Sequence, residues 1–237
     1  MNNILAIFRK EMRSYLITPA SYIVLFVFLV LTGYFFQVSL FLINQATLDE
    51  IFRYIPMIYI FFVPAITMSL ISKEKDNGTI ETLTTFPISD TEIVIGKFLS
   101  SLVLIVIGLL FTLIHFFTIV MLGENVDMGG IFCAYLGLIL MGGAYSAIGV
   151  FTSTLSNNQI IAFIISFFIV FFLFIVQSLL FFLPAGMASF FQNISSVYHF
   201  QNMGRGIIDS RNIIYFISII AIFLKLAVTI LESRKWR

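Results

Sequence analysis

Residues 159–183 read Q-I-I-A-F-I-I-S-F-F-I-V-F-F-L-F-I-V-Q-S-L-L-F-F-L, 25 positions without one charged side chain. A bilayer core about 30 Å thick is crossed by roughly 20 apolar residues of helix, so this stretch predicts a membrane span. Five further stretches meet the same test: residues 20–42, 54–71, 98–122, 130–152 and 213–231. The second of the six, 54–71, is the shortest and carries Pro56 and Pro64, which a membrane helix tolerates near its start or at a kink when neighbours satisfy the freed carbonyls. The expected fold is an all-α membrane protein, six transmembrane helices in one domain over residues 1–237.

Composition agrees. Hydrophobic residues make up 60% of the 237 and charged residues 11%, with mean hydropathy +1.06. Soluble domains run at roughly 45–50% apolar and about 25% charged, so a water-soluble fold cannot hide this much apolar surface. A net charge of +1, with Lys and Arg gathered at segment ends, offers no basic face for nucleic acid. The single cysteine, Cys133, excludes an intrachain disulfide and a cysteine metal cluster. The first apolar span is too long for a signal-peptide core and no small-residue cleavage site follows it, so it reads as a retained helix. No repeat or low-complexity linker divides the chain.

Orientation follows from the charges. A cytoplasmic N-terminus puts Arg9, Lys10, Arg13, Lys73, Lys75, Lys97, Arg234, Lys235 and Arg237 inside, and leaves Arg53, Arg205 and Arg211 outside with Lys225 within a span. That distribution obeys the positive-inside rule and returns the C-terminus to the cytoplasm. Ahead of the first span, Ile4, Phe8, Met12, Tyr15 and Leu16 recur at helical spacing while Arg9, Lys10 and Arg13 take another face, and Pro19 breaks the helix. Residues 3–17 should therefore form an amphipathic helix along the inner membrane surface; a plain extension of the first span is the alternative.

The loop at residues 72–97 reads S-K-E-K-D-N-G-T-I-E-T-L-T-T-F-P-I-S-D-T-E-I-V-I-G-K. Asn77 and Gly78 can start a short helix, Glu81 suits its first turn, and Pro87 stops it after Phe86. Ile80 and Leu83 share a face suited to a partner's groove. Ser89 and Glu92 form a capping box that launches the third span.

Residues 74–97 resemble the corresponding loop of type-2 ABC transporter permeases, with Glu-Lys, Gly-Thr-x-Glu, Pro and Gly-Lys in order. H-F-Q-N-M-G-R-G-I-I-D-S-R-N-I-I-Y-F, residues 199–216, is similar to the segment before the last helix in the gliding-motility and copper-processing branch of that family. The resemblance implies an amphipathic elbow helix at residues 3–17, a coupling helix near residues 79–86, and short re-entrant helices between spans five and six. It also implies a bacterial inner-membrane location, a partnership with two copies of a cytosolic ABC ATPase, and a second permease copy as homo- or heterodimer. Asn77, Gly78, Thr79, Ile80, Glu81, Leu83 and Phe86 are then the candidate ATPase contacts, and His199, Arg205 and Asp209 an extracytoplasmic gate, facing any auxiliary protein on that side.

No cofactor is expected on this chain itself. The phosphate-binding pattern G-x-x-x-x-G-K-[ST] occurs nowhere: Gly96-Lys97 is followed by Phe98, with Thr91 in place of the first glycine. ATP and magnesium therefore belong to the partner, and this subunit is non-catalytic. Ion-driven transport needs ionisable groups at membrane depth, where the spans offer only His115 and Lys225. His115 reads as an interhelical hydrogen-bonding residue and Lys225 as a snorkelling one. Gly130, Gly137, Gly142 and Gly149 on span four let another helix approach closely, within the chain or across a dimer seam.

The outer segment, residues 183–212, mixes interfacial aromatics with Arg205 and Asp209, which at i, i+4 would pair on a helical turn. Two competing functions are an intramembrane serine protease built on His115 and Ser146, and a scaffold that transmits force to an extracytoplasmic partner without transport. The leading expectation is the permease subunit of an ATP-driven exporter, in contact with membrane lipid.

Overall fold

The computed structural model describes residues 2–42, 47–79, 87–122, 126–180, 184–206 and 209–233. Among these the regular secondary structure is all helical, and six helices are long and apolar enough to cross a membrane. The elements are α1 (Asn2–Ile17), α2 (Pro19–Gln37, continued by a π-helical turn at Val38–Leu42), α3 (Asp49–Thr67), α4 (Ser72–Asp76), α5 (Asp90–Leu122), α6 (Met128–Leu155), α7 (Gln159–Leu179), α8 (Ala185–Ile194), α9 (Ser196–Gly204) and α10 (Ser210–Ser233). The positively charged Arg234, Lys235 and Arg237 lie outside the described residues.

The six candidate spans match the six expected, with shifted ends. The second runs Asp49–Asp76 rather than 54–71, and both prolines lie inside α3. It is the most enclosed of the spans, 72% of its most apolar window being buried, so neighbouring helices surround the two breaks in its hydrogen-bond ladder. The third begins at Asp90, eight residues before the apolar stretch, because the capping box forms as expected. Ser89 N donates to Glu92 Oε2 at 2.9 Å, and Glu92 N to Ser89 Oγ at 3.3 Å.

The centre of the bundle is α6. Its small residues admit neighbours on several sides, and it packs against α3, α5, α7, α9 and α10. Two-thirds of its apolar window is buried, against 22% for α2 and α7 and 17% for α10, whose large side chains face outward. Gly149 faces α3 at the closest approach: an added Cβ would stand 1.9 Å from Thr67 Oγ1 and 2.6 Å from Thr67 Cβ. Gly137 meets Phe200 and Met203 of α9, Gly142 meets Ile105 and Tyr59, and Gly130 lies beside the Asp127 that caps its own helix. The glycine stripe thus serves packing within the chain. Ser101 and Ser146 hydroxyls, 2.5 Å apart, and Thr112 with Tyr135, 3.1 Å apart, join α5 to α6 across the apolar interior.

These contacts define two poles. One gathers α1, the turn from α3 into α4, the start of α5 and the end of α6. The other gathers the start of α6 with the end of α9, where Gly206 approaches Gly130.

Candidate functional site

At the first pole a lysine is buried among carboxylates. Lys97, 1% exposed, places its Nζ 2.7 Å from Glu11 Oε1 of α1 and 2.9 Å from Glu74 Oε2 of α4, and donates to the Leu70 carbonyl at 2.5 Å. Lys10 closes the group from the rim, 2.6 Å from Glu74 Oε1. Burial opposes the charge on Lys10, but its bond and attraction to Glu74, helped by Glu11, outweigh that and raise its pKa. Burying an unpaired basic side chain is costly, and two carboxylates drawn from different helices supply the pairing at Lys97.

The cluster spans the two ends of loop 72–97 and bolts both to α1. Gly96 is the companion requirement. A Cβ there would lie 2.9 Å from Ile7 Cβ and 3.1 Å from the Ile4 carbonyl, so only glycine lets α1 seat so closely on α5. Asn3 extends the seam, with Nδ2 3.3 Å from both Glu92 carboxylate oxygens, and Tyr15 donates to the Ile66 carbonyl at 3.0 Å. On α1, Ile7 and Tyr15 are buried and Ile4, Phe8 and Met12 half-buried, while Leu16 is exposed rather than sharing the inner face.

A second anchor, which no local pattern in the sequence marks, lies on α6. The chain leaves α3 through a turn, and Ser153 of α6 accepts from both Ile71 N and Ser72 N at 2.9 Å while donating to the Met68 carbonyl at 3.0 Å. Lys75 then donates to the Thr154 carbonyl. Asn77 and Gly78 close α4: Asn77 N returns to Lys73 O, Gly78 N to Lys75 O, and Gly78 takes φ +67°, the left-handed conformation glycine adopts at helix ends. Thr79 follows, with Oγ1 3.3 Å from the Glu74 carbonyl. Ile80, Glu81, Leu83 and Phe86 lie outside the described residues.

At the other pole His199 is the hub. Its Nδ1 lies 2.8 Å from Asn212 Oδ1, its Nε2 3.1 Å from the Asn193 carbonyl, and its ring stacks on Tyr215 with centroids 4.0 Å apart. Tyr215 donates in turn to the Ile194 carbonyl. One ring therefore ties α8, α9 and α10 together. Arg205 and Asp209 do not share a helical turn. The chain leaves α9 after Gly204, Gly206 adopts φ +80°, and Asp209 instead accepts from Arg211 N at 2.9 Å at the start of α10.

His115 meets α2 by stacking on Phe36, centroids 4.5 Å apart, rather than by a hydrogen bond. The protease pairing fails on distance: Ser146 sits beside Ser101, and 14 residues of α5 separate Ser101 from His115, roughly 21 Å along the helix. Lys225 is exposed on α10.

The family model described as ABC-2 family transporter protein matches residues 44–232. The chain belongs to the ABC-2 transporter family. It is a multi-pass membrane subunit of the permease kind, and membership implies partnership with an ABC ATPase subunit. The matched region takes in loop 72–97, its Glu74–Lys97 pair and the His199 hub, and begins after α1. A search of curated proteins gave no match. Of the residues that build the ionic cluster, Glu11 carried a readable signal: it is an acid at i+7 from Ile4 and i−4 from Tyr15, on the otherwise apolar face of an amphipathic helix.

Proposed function

We propose that this ABC-2 chain is the permease subunit of an ATP-driven exporter in a bacterial inner membrane, working with a second permease copy and two copies of a cytosolic ATPase that holds ATP and magnesium. The pole that carries α1 and loop 72–97 is cytoplasmic in this reading. Six basic residues, Arg9, Lys10, Arg13, Lys73, Lys75 and Lys97, belong to it, against Arg53, Arg205 and Arg211 at the other. The observation that carries the proposal is the bolted base of the loop. A pull on residues 79–86 reaches α4 through Glu74, α5 through Lys97 and α1 through Glu11 together, and Ser153, bonded to the turn between α3 and α4, passes it to the central helix. A flexible base would absorb the pull; this one moves as a block. Ile80, Glu81, Leu83 and Phe86 are the side chains the ATPase grips.

The test is purification of the chain from its native membrane, followed by reconstitution in vesicles. An ATPase should copurify, Leu83→Asp should remove it while leaving the helical bundle folded, and ATP-dependent movement of substrate should stop. Retention of the ATPase by both Leu83→Asp and Glu81→Lys would end the reading.

A second reading, transmission of force to an extracytoplasmic partner, is favoured by the His199 hub, which makes the outer cap a stiff body fixed to the last span. ATP turnover by the reconstituted complex without flux of any substrate, together with loss of partner binding in Arg205→Glu, would select it over export.

A further inference from the structure

Beside the ionic cluster, between α1, α2, α3 and α4, lies a cleft of about 520 Å³. Its polar wall includes Lys73, Ser14, Ser21, Ser69 and Gln159 beyond the cluster, and its apolar wall includes Val24 and Ala65. The same Val24 and Ala65 begin a groove of about 300 Å³ between α2 and α3, lined by apolar side chains alone. Phe28 and Phe62, stacked at 4.5 Å, form its floor, and Ile23, Val27 and Phe61 stand exposed at its mouth. Each volume is of the size that holds a bound small molecule. The shared Val24 and Ala65 make the polar chamber and the apolar groove neighbours, the groove running between two membrane-spanning helices.

We propose that this composite cavity binds one anionic phospholipid from the adjoining leaflet, its phosphate at Lys73 and Lys10 and one acyl chain in the α2–α3 groove. The charge balance selects the headgroup. Glu11 and Glu74 also line the cleft, but Lys97, which is not itself in the lining, pairs with both and Lys10 with Glu74; counting Lys10, Lys73 and Lys97 against the two carboxylates leaves one positive charge in excess. Lys73 is exposed and forms no ion pair among the described residues, and Arg9 and Arg13 lie exposed on the same α1. Hydroxyls of Ser14, Ser21 and Ser69 supply donors for phosphate oxygens. The inference rests on the six spans and holds for either orientation of the chain.

The experiment is native mass spectrometry of the full-length protein extracted from phosphatidylcholine vesicles containing phosphatidylglycerol. One phosphatidylglycerol should be retained per chain, preferred about tenfold over phosphatidylcholine. Lys73→Glu should cut that preference about tenfold, with Lys73→Ser intermediate; neither removes a partner from the ionic cluster. Val27→Trp, at the groove's mouth, should lower retention of both lipids without altering their ratio. Glycerol 3-phosphate, the head without the tail, should not displace the lipid. An unchanged lipid ratio in Lys73→Glu, unchanged retention in Val27→Trp, or displacement by glycerol 3-phosphate would each overturn the proposal.

Discussion

The two poles solve one problem by opposite means. Each must hold irregular chain against the ends of the spans. The first uses buried ions, Lys97 between Glu11 and Glu74; the second uses a neutral ring and amides, His199 with Asn212, Tyr215 and the Asn193 carbonyl. Buried ions are intolerant of partial removal, because a lost partner strands a charge, whereas neutral hydrogen bonds fail by smaller steps. The ionic pole is thus the one where α1, α4 and α5 are obliged to move together.

The contrast is most exposed by Lys97→Met, which leaves Glu11 and Glu74 side by side with Lys10 at the rim to pair with both. Detergent-solubilised protein should lose about 3–5 kcal/mol of unfolding stability, and the triple variant with Glu11→Gln and Glu74→Gln should regain most of it. Equal losses in single and triple variants would mean that charge balance is not what holds this pole. The packing between the poles comes next. Gly149→Ala should cost about 2–3 kcal/mol in the same assay, and Thr67→Ala should rescue little, because the Thr67 Cβ itself lies 2.6 Å from the added methyl.

At the neutral pole, His199→Phe keeps the stack on Tyr215 but strands Asn212 and the Asn193 carbonyl. It should cost about 1–3 kcal/mol, less than Lys97→Met; a larger loss would reverse the ranking of the poles. Ser89→Ala, which removes half of the capping box, should cost about 1 kcal/mol and fray only the first turn of α5, read by hydrogen exchange at residues 90–93. The smallest effect is with pH. A raised lysine pKa means stability that is fully present below the ordinary value of 10.5 and is lost as pH climbs through the higher folded value. The contribution of Lys10 should therefore stay constant from pH 7 to 10, and a falling thermal midpoint in that window would remove Lys10 from the cluster.

Much of this was legible in the chain itself. The apolar runs predict six spans because in lipid a helix alone satisfies its own backbone, so length and composition nearly suffice. Pro19 at the first turn of α2 and the Ser89–Glu92 box are local chemistry between near neighbours, and local chemistry can be read without a fold. The spacing of Arg205 and Asp209 misleads because a separation of four counts only if the helix continues, and the chain leaves α9 after Gly204, with Gly206 at φ +80°.

What only the tertiary structure decided are the partnerships across long stretches of chain. Lys97 reads as a loop-end charge, Ser153 as one serine among several, and Gly149 as one of a stripe. Burial joins the first to Glu11, 86 residues away, the second to Ile71, 82 away, and the third to Thr67. Hydrophobicity is a property of each residue and survives in a linear text. An ion pair or a close approach is a property of two, and it exists only once α1, α3, α5 and α6 have been brought together.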